Sequence, residues 1–294
     1  MPTLADAVGI LDAAYDPRWA EPWDAVGLVC GDPAAEVRKV LFAVDPVDAV
    51  VNEAVEWGAD LLVTHHPLLL KPVHGVAATT FKGRTVHRLI RNGVALLTAH
   101  TNADIAAPGV SDALARALGL AVAGPIRPAP DAPARGLGRF GTLPTAEPLH
   151  VFAERVAAAL PATSAGVRVA GDPERPVRLV AVCGGAGDDR DLLAAVRAAG
   201  ADAYVTADLR HHPVSEALEA GGFGASGSDS GAGPALVDVA HWASEWPWLA
   251  DAAALLAAGF GEATRHGGAA GRGTVEIRVS KLVTDPWTMH TPQK

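Results

Sequence analysis

The sequence predicts an α/β protein of two similar α/β domains that arose by internal duplication, with a metal site in the crevice between them. Three observations carry that expectation. Short β-branched runs alternate with Ala-rich amphipathic stretches, a segment of the first half recurs in the second, and both copies end in polar residues that suit metal binding. At roughly 150 residues per domain, 294 residues correspond to two domains. Their expected bounds are 1–124 and 125–294, with exchange of a strand between the halves left open.

Along the chain, KVLFAV at 39–44 reads as a strand, DAVVNEAVEWG as the helix after it, and DLLVT at 60–64 and GVALLT at 93–98 as the next strands. The second half repeats this rhythm with VRLVAV at 177–182, DLLAAVRAAG at 191–200, DAYVT at 202–206 and PALVDV at 234–239. Between the halves, the Pro-rich stretch at 124–136 reads as a linker or crossover. The Gly/Ser-rich segment at 221–234 reads as a loop that either covers a site or is a tolerated insertion.

The repeat is visible in detail. Gly58-Ala59-Asp60-Leu61-Leu62-Val63-Thr64 matches Gly200-Ala201-Asp202-Ala203-Tyr204-Val205-Thr206, 142 residues on, and both copies soon reach His-His-Pro. Ala99-His100 through Asp104 matches Ala240-His241 through Glu245, 141 residues on, each carrying His-x-x-x-acid.

Composition narrows the function classes. Hydrophobic residues make up 49% and charged residues 19%, which supplies a packed core and argues against disorder. With 24 bases and 33 acids the net charge of -9 argues against nucleic acid as a partner. Cys30 and Cys183 are too few for a disulfide framework. The N-terminus reads as neither signal peptide nor anchor, so the expected location is the reducing cytoplasm and no membrane is expected as a partner.

The candidate chemistry lies at the strand ends. Thr64-His65-His66-Pro67 closes an apolar strand, where alternate side chains point to opposite faces, so the two rings converge only where the chain leaves the strand. Taken alone, such a pair reads as one packed ring and one solvated ring. His241 and Glu245, four residues apart, share a helix face just after PALVDV, at the strand end where open α/β sheets place their sites. Asp104 holds the matching place in the first half; by itself it reads as a cap or turn carboxylate.

Three imidazoles and two carboxylates suit two divalent metal ions, zinc, iron or manganese, rather than calcium. With one carboxylate bridging, they leave about two of eight tetrahedral positions for water or substrate, an open dinuclear centre. His100, Asp208, His211 and His212 are the further candidates, as ligand-orienting groups or catalytic acids and bases; each also reads as a surface histidine or cap. The GGAG run lacks the Lys and Ser/Thr of a phosphate-binding loop, Cys183 reads as a buried strand cysteine, and Trp242, Trp246 and Trp248 read as helix packing.

Six blocks, WDAVGLVCGD at 23–32, LLVTHHPLLL at 61–70, AHTNAD at 99–104, VAVCGGAGDD at 180–189, VTADLRHH at 205–212 and VDVAHWASE at 237–245, give the chain its resemblance to a known family. It resembles the hexameric dinuclear-metal-centre family, whose members are named NGG-interacting-factor-like proteins or GTP cyclohydrolase I type 2 homologues. Ala25 departs from the Asn that many relatives carry after Trp-Asp, and the 221–234 loop is longer than usual. The resemblance implies that His65, His66, Asp104, His241 and Glu245 are the metal ligands. Glu245 would bridge, with His66 and Asp104 on one ion and His65 and His241 on the other. It further implies a toroidal homohexamer and hydrolysis of a small nucleotide-like substrate, with attack at C8 of guanine. The other expectation, from a different class, is a ring that binds metal or a partner without turnover.

Overall fold

The computed structural model describes residues 1–220, 233–266 and 274–291. The described chain forms two compact units: Met1–Ala106 with Leu249–Thr284, and Ala107–Trp248 with the residues from Asp285 on. The expected bound at 124 therefore falls inside the second unit, and a late segment of chain returns to the first.

In the first unit, α1 (Leu4–Ala14) starts at a capping box in which the Thr3 hydroxyl accepts from Asp6 N while the Asp6 carboxylate accepts from Thr3 N. Strand β1 (Gly27–Cys30) precedes β2 (Lys39–Ala43), α2 (Asp48–Trp57) and β3 (Leu61–Thr64). Then come α3 (Phe81–Arg91), β4 (Ala95–Thr98) and the short α4 (Thr101–Ile105). Strands β3 and β4 are buried along their whole length, which is why they read as unbroken apolar runs. Helix α2 presents Val50, Val51 and Ala54, and α3 presents Val86 and Leu89, to Leu41, Leu62 and Leu96 of the sheet.

The second unit opens with α5 (Val110–Ala117) and β5 (Ala121–Gly124), which the sequence had grouped with the first half. The stretch expected to be a linker is ordered. It forms a two-stranded ribbon of β6 (Arg127–Ala129) and β7 (Ala132–Leu137), and β8 (Arg139–Pro148) follows it. Its prolines are tolerated because a ribbon leaves N–H positions outside the ladder. The buried Arg139 guanidinium fixes the corner, donating to Gly136 O and Gly138 O and pairing with Asp112 at 2.7 Å.

Next come α6 (Leu149–Ala159), β9 (Arg168–Ala170), β10 (Pro176–Ala186), α7 (Arg190–Ala198), β11 (Ala203–Ala207), α8 (His211–Ala220) and β12 (Ala235–Val239). Helix α9 (His241–His266) begins in the second unit and counts with the first from Leu249. It leads toward β13 (Glu276–Val279). Of the Gly/Ser-rich segment expected as a loop, residues 221–232 lie outside the described residues.

Each unit has its own sheet, and the two sheets have the same parallel run of three strands. One has the order β1-β4-β3-β2-β13 and the other β5-β8-β10-β11-β12-β9, with β2-β3-β4 and β10-β11-β12 parallel in each. The duplication extends to single hydrogen bonds. Gly58 and Gly200 end α2 and the turn after α7 in the left-handed region, at φ 71° and 69°. The Asp60 carboxylate accepts from Arg38 N and Lys39 N at 2.7 and 2.8 Å, and the Asp202 carboxylate accepts from Arg178 N and Leu179 N at 2.9 and 2.8 Å. Each aspartate thus clips the start of the first parallel strand to the start of the second.

Candidate metal centre

In the first unit, the ladder between β2 and β3 continues past Thr64, with His65 N donating to Ala43 O and His66 N donating to Val44 O. The chain then turns at Pro67, and Thr64 Oγ1 donates to His66 O at 2.9 Å. The two rings, forced to opposite sides within a regular strand, converge here with centroids 5.1 Å apart. His100, after the end of β4, joins them at 5.1 Å from His65 and 5.5 Å from His66. One ring nitrogen of each of the three histidines lies within 4.8 Å of the others.

Each ring is held from behind through Nδ1. His65, fully buried, has Nδ1 at 2.9 Å from Ala99 O; a carbonyl only accepts, so this nitrogen carries the proton and Nε2 offers its lone pair. His66 Nδ1 lies 2.7 Å from Asp45 Oδ1, and the other oxygen of Asp45 accepts from Thr284 Oγ1. His100 Nδ1 lies 2.8 Å from Asp24 Oδ1. The Asp24 carboxylate is deprotonated well below the usual range. Burial opposes this, and the bonds from His100 and Thr101 outweigh it. Asp104, on α4, places Oδ1 3.7 Å from His65 Nε2.

In the second unit, β12 delivers His241 to the first turn of α9, and the helical spacing sets Glu245 Oε1 2.9 Å from His241 Nε2. Asp208, just past the end of β11, takes His241 Nδ1 at 2.7 Å. It does so from φ 57°, the left-handed region that aspartate tolerates better than bulkier residues. Burial by itself would lower the His241 pKa, but the Glu245 and Asp208 carboxylates prevail and raise it to about 11. Without metal, the two carboxylates favour the protonated ring.

The glycine run after β10's apolar residues forms the wall behind this pair. At Gly185, φ 70°, an added Cβ would lie 2.5 Å from Glu245 Oε1 and 3.3 Å from His241 Nε2. Gly185 N donates to Ser244 Oγ, which in turn donates to His241 O. The motif that in sequence resembles a weak phosphate loop therefore serves close backbone approach to a carboxylate.

The structure thus brings together His65, His66, His100 and Asp104 in one unit, and His241, Glu245 and Asp208 in the other. His211 and His212 stand edge to face with ring centroids 5.2 Å apart, exposed at the start of α8, and join neither group among the described residues. The repeat explains this: the positions 142 residues after His65 and His66 are Ala207 and Asp208, so the second His-His-Pro is displaced onto a helix. Sequence reasoning missed Asp24, Asp45 and Gly185. The Trp-Asp pair and the glycine run were signals for two of them. Nitrogen and carboxylate donors with fixed tautomers are the donor set that divalent zinc, iron or manganese takes, so these residues fit such ions.

A family model described as Duf34/NIF3 (NGG1p interacting factor 3) matches residues 2–269. A Streptomyces coelicolor protein named GTP cyclohydrolase 1 type 2 homolog is 54% identical, over 99% of this chain and 95% of its own. A Mycobacterium tuberculosis protein of the same name is 39% identical over 97% of each chain. The crystal structure of Staphylococcus aureus hypothetical protein SA1388 matches with a TM-score of 0.83 at 26% identity, covering 98% of this chain and 99% of that one.

Proposed function

Since the chain belongs to the Duf34/NIF3 (NGG1p interacting factor 3) family, we propose that it is a hydrolase of a nucleotide-like substrate, working in the cytoplasm with two divalent ions of zinc, iron or manganese. The observation that carries this reading is the preparation of the imidazoles. Nδ1 of His65, His66 and His241 is each bound to a carbonyl or carboxylate, and orienting partners of this kind set the opposite nitrogen as a ligand.

In this reading His66 and Asp104 would hold one ion, His65 and His241 would hold the other, and Glu245 would serve both. When bound, the pair of ions lowers the pKa of a water and neutralises charge on the attacked group. His100, backed by the Asp24 carboxylate, takes up a proton at Nε2, a role for which it is better placed than His211 or His212. Relatives named GTP cyclohydrolase 1 type 2 homolog support GTP as the first substrate to try. Water adds at C8 of guanine, the imidazole ring opens, and a second water releases formate. The assembly proposed with it is a toroidal homohexamer, which light scattering measures directly.

The test incubates metal-loaded protein with GTP and follows formate and the loss of guanine absorbance. Turnover is expected, and Glu245→Gln is expected to abolish it together with the binding of at least one ion. Absence of turnover across a nucleotide panel, with both ions bound, refutes the hydrolase reading and leaves a ring that binds metal or a partner.

A further inference from the structure

Trp23 is 58% exposed, although the turn that carries it is held by several hydrogen bonds. Asp24 N donates to Glu21 O and closes the turn, and Glu21 N donates to Thr101 Oγ1. The Asp24 carboxylate receives Ala25 N, Thr101 N and Thr101 Oγ1, besides holding His100 Nδ1. The carboxylate that orients His100 therefore also fixes the turn on which the indole stands. The indole lies 6.0 Å from the His100 ring, nearly perpendicular at 77°, and His100 in turn stands edge-on to His65 and His66.

An exposed indole adds little to the core. A loop tip exposing it only incidentally has no need of so many anchors to a cluster of imidazoles. The arrangement has the parts of a stacking site: a flat, electron-rich surface at fixed height beside the reacting groups.

We propose that Trp23 is the platform on which the planar base of the substrate stacks, so that the ring to be attacked lies over the His65, His66 and His100 cluster. This rests on the hydrolase reading for the identity of the reacting groups and names the substrate class as a heteroaromatic ring. A sugar phosphate without a base would not use this surface.

Binding to metal-loaded protein, measured by calorimetry, tests it with GMP and ribose 5-phosphate as paired probes. Trp23→Ala is expected to weaken GMP binding about ten-fold or more, the scale of one lost base–aromatic stack. Ribose 5-phosphate binding and metal content should be unchanged, and Trp23→Phe should recover most of the loss. The proposal fails if Trp23→Ala binds GMP like the parent protein, if both probes weaken equally, or if the parent protein binds no GMP. It also fails if the variant changes its oligomeric state with GMP affinity intact, since the indole is then a contact between copies. GMP binding that depends on Trp23, without turnover of GTP, would keep this proposal and discard the hydrolase.

Discussion

His241 shows how a single residue stores the difference between the metal-free and metal-loaded protein. Its pKa is raised to about 11 by Glu245 and Asp208 against the effect of burial, so the folded state favours the protonated ring. That contribution to the stability of the metal-free fold is fully present below the ordinary histidine pKa, about 6.5, and is lost as pH climbs through about 11. An ion at Nε2 must displace this proton, so metal affinity falls as pH is lowered. At about pH 8, where an ordinary histidine is neutral, the His241 ring protons in chelator-treated protein should resonate as imidazolium. Adding zinc should shift them and release a proton to the buffer. A neutral ring in the metal-free protein at that pH would contradict the electrostatic account.

Among elements, the repeated unit of helix, turn and parallel strand is held by the same device in both halves. Asp60 and Asp202 each accept two backbone N–H groups from the strand alongside. Asp60→Ala and Asp202→Ala should each cost about 1–3 kcal/mol, since a charged acceptor is lost and two partly covered donors are left to water. Denaturant unfolding measures this; a change under a few tenths of a kcal/mol at both positions would show that the clip is ornamental. The parallel strands were legible because burial on both faces makes β3 and β4 continuous apolar runs. The ribbon β6-β7 and strand β8 were not, because their prolines and glycines carry the composition of a linker. Arg139, which fixes that corner, works through Asp112, 27 residues earlier.

At the scale of the whole molecule, the C-terminal segment contributes to the first unit in two ways. β13 pairs with β2 at the edge of its sheet, and beyond it Ser280 Oγ donates to Glu53 while Thr284 Oγ1 donates to the carboxylate that holds His66. Truncation after residue 273 should lower the melting temperature and also weaken metal binding, by less than the about 10-fold to 100-fold that loss of Asp45 itself would cost. Thr284→Ala should show a weaker form of the second effect with little of the first. Full metal affinity in both variants would mean that Asp45 holds its place without the tail.

The linear sequence determined the buried parallel strands, their ends and the amphipathic helices between them, because burial on both faces and helical spacing are periodic properties of neighbouring residues. It therefore also singled out His65, His66, Asp104, His241 and Glu245, each delivered at or just beyond such an end. The tertiary structure decided what stands behind them. Asp24 reaches His100 across 76 positions and Thr284 reaches Asp45 across 239, and Gly185 of β10 leaves the room that Glu245 of α9 occupies. No local pattern encodes contacts at such separations; they exist only once the sheet has brought its strand ends side by side, and they fix which nitrogen of each imidazole is offered.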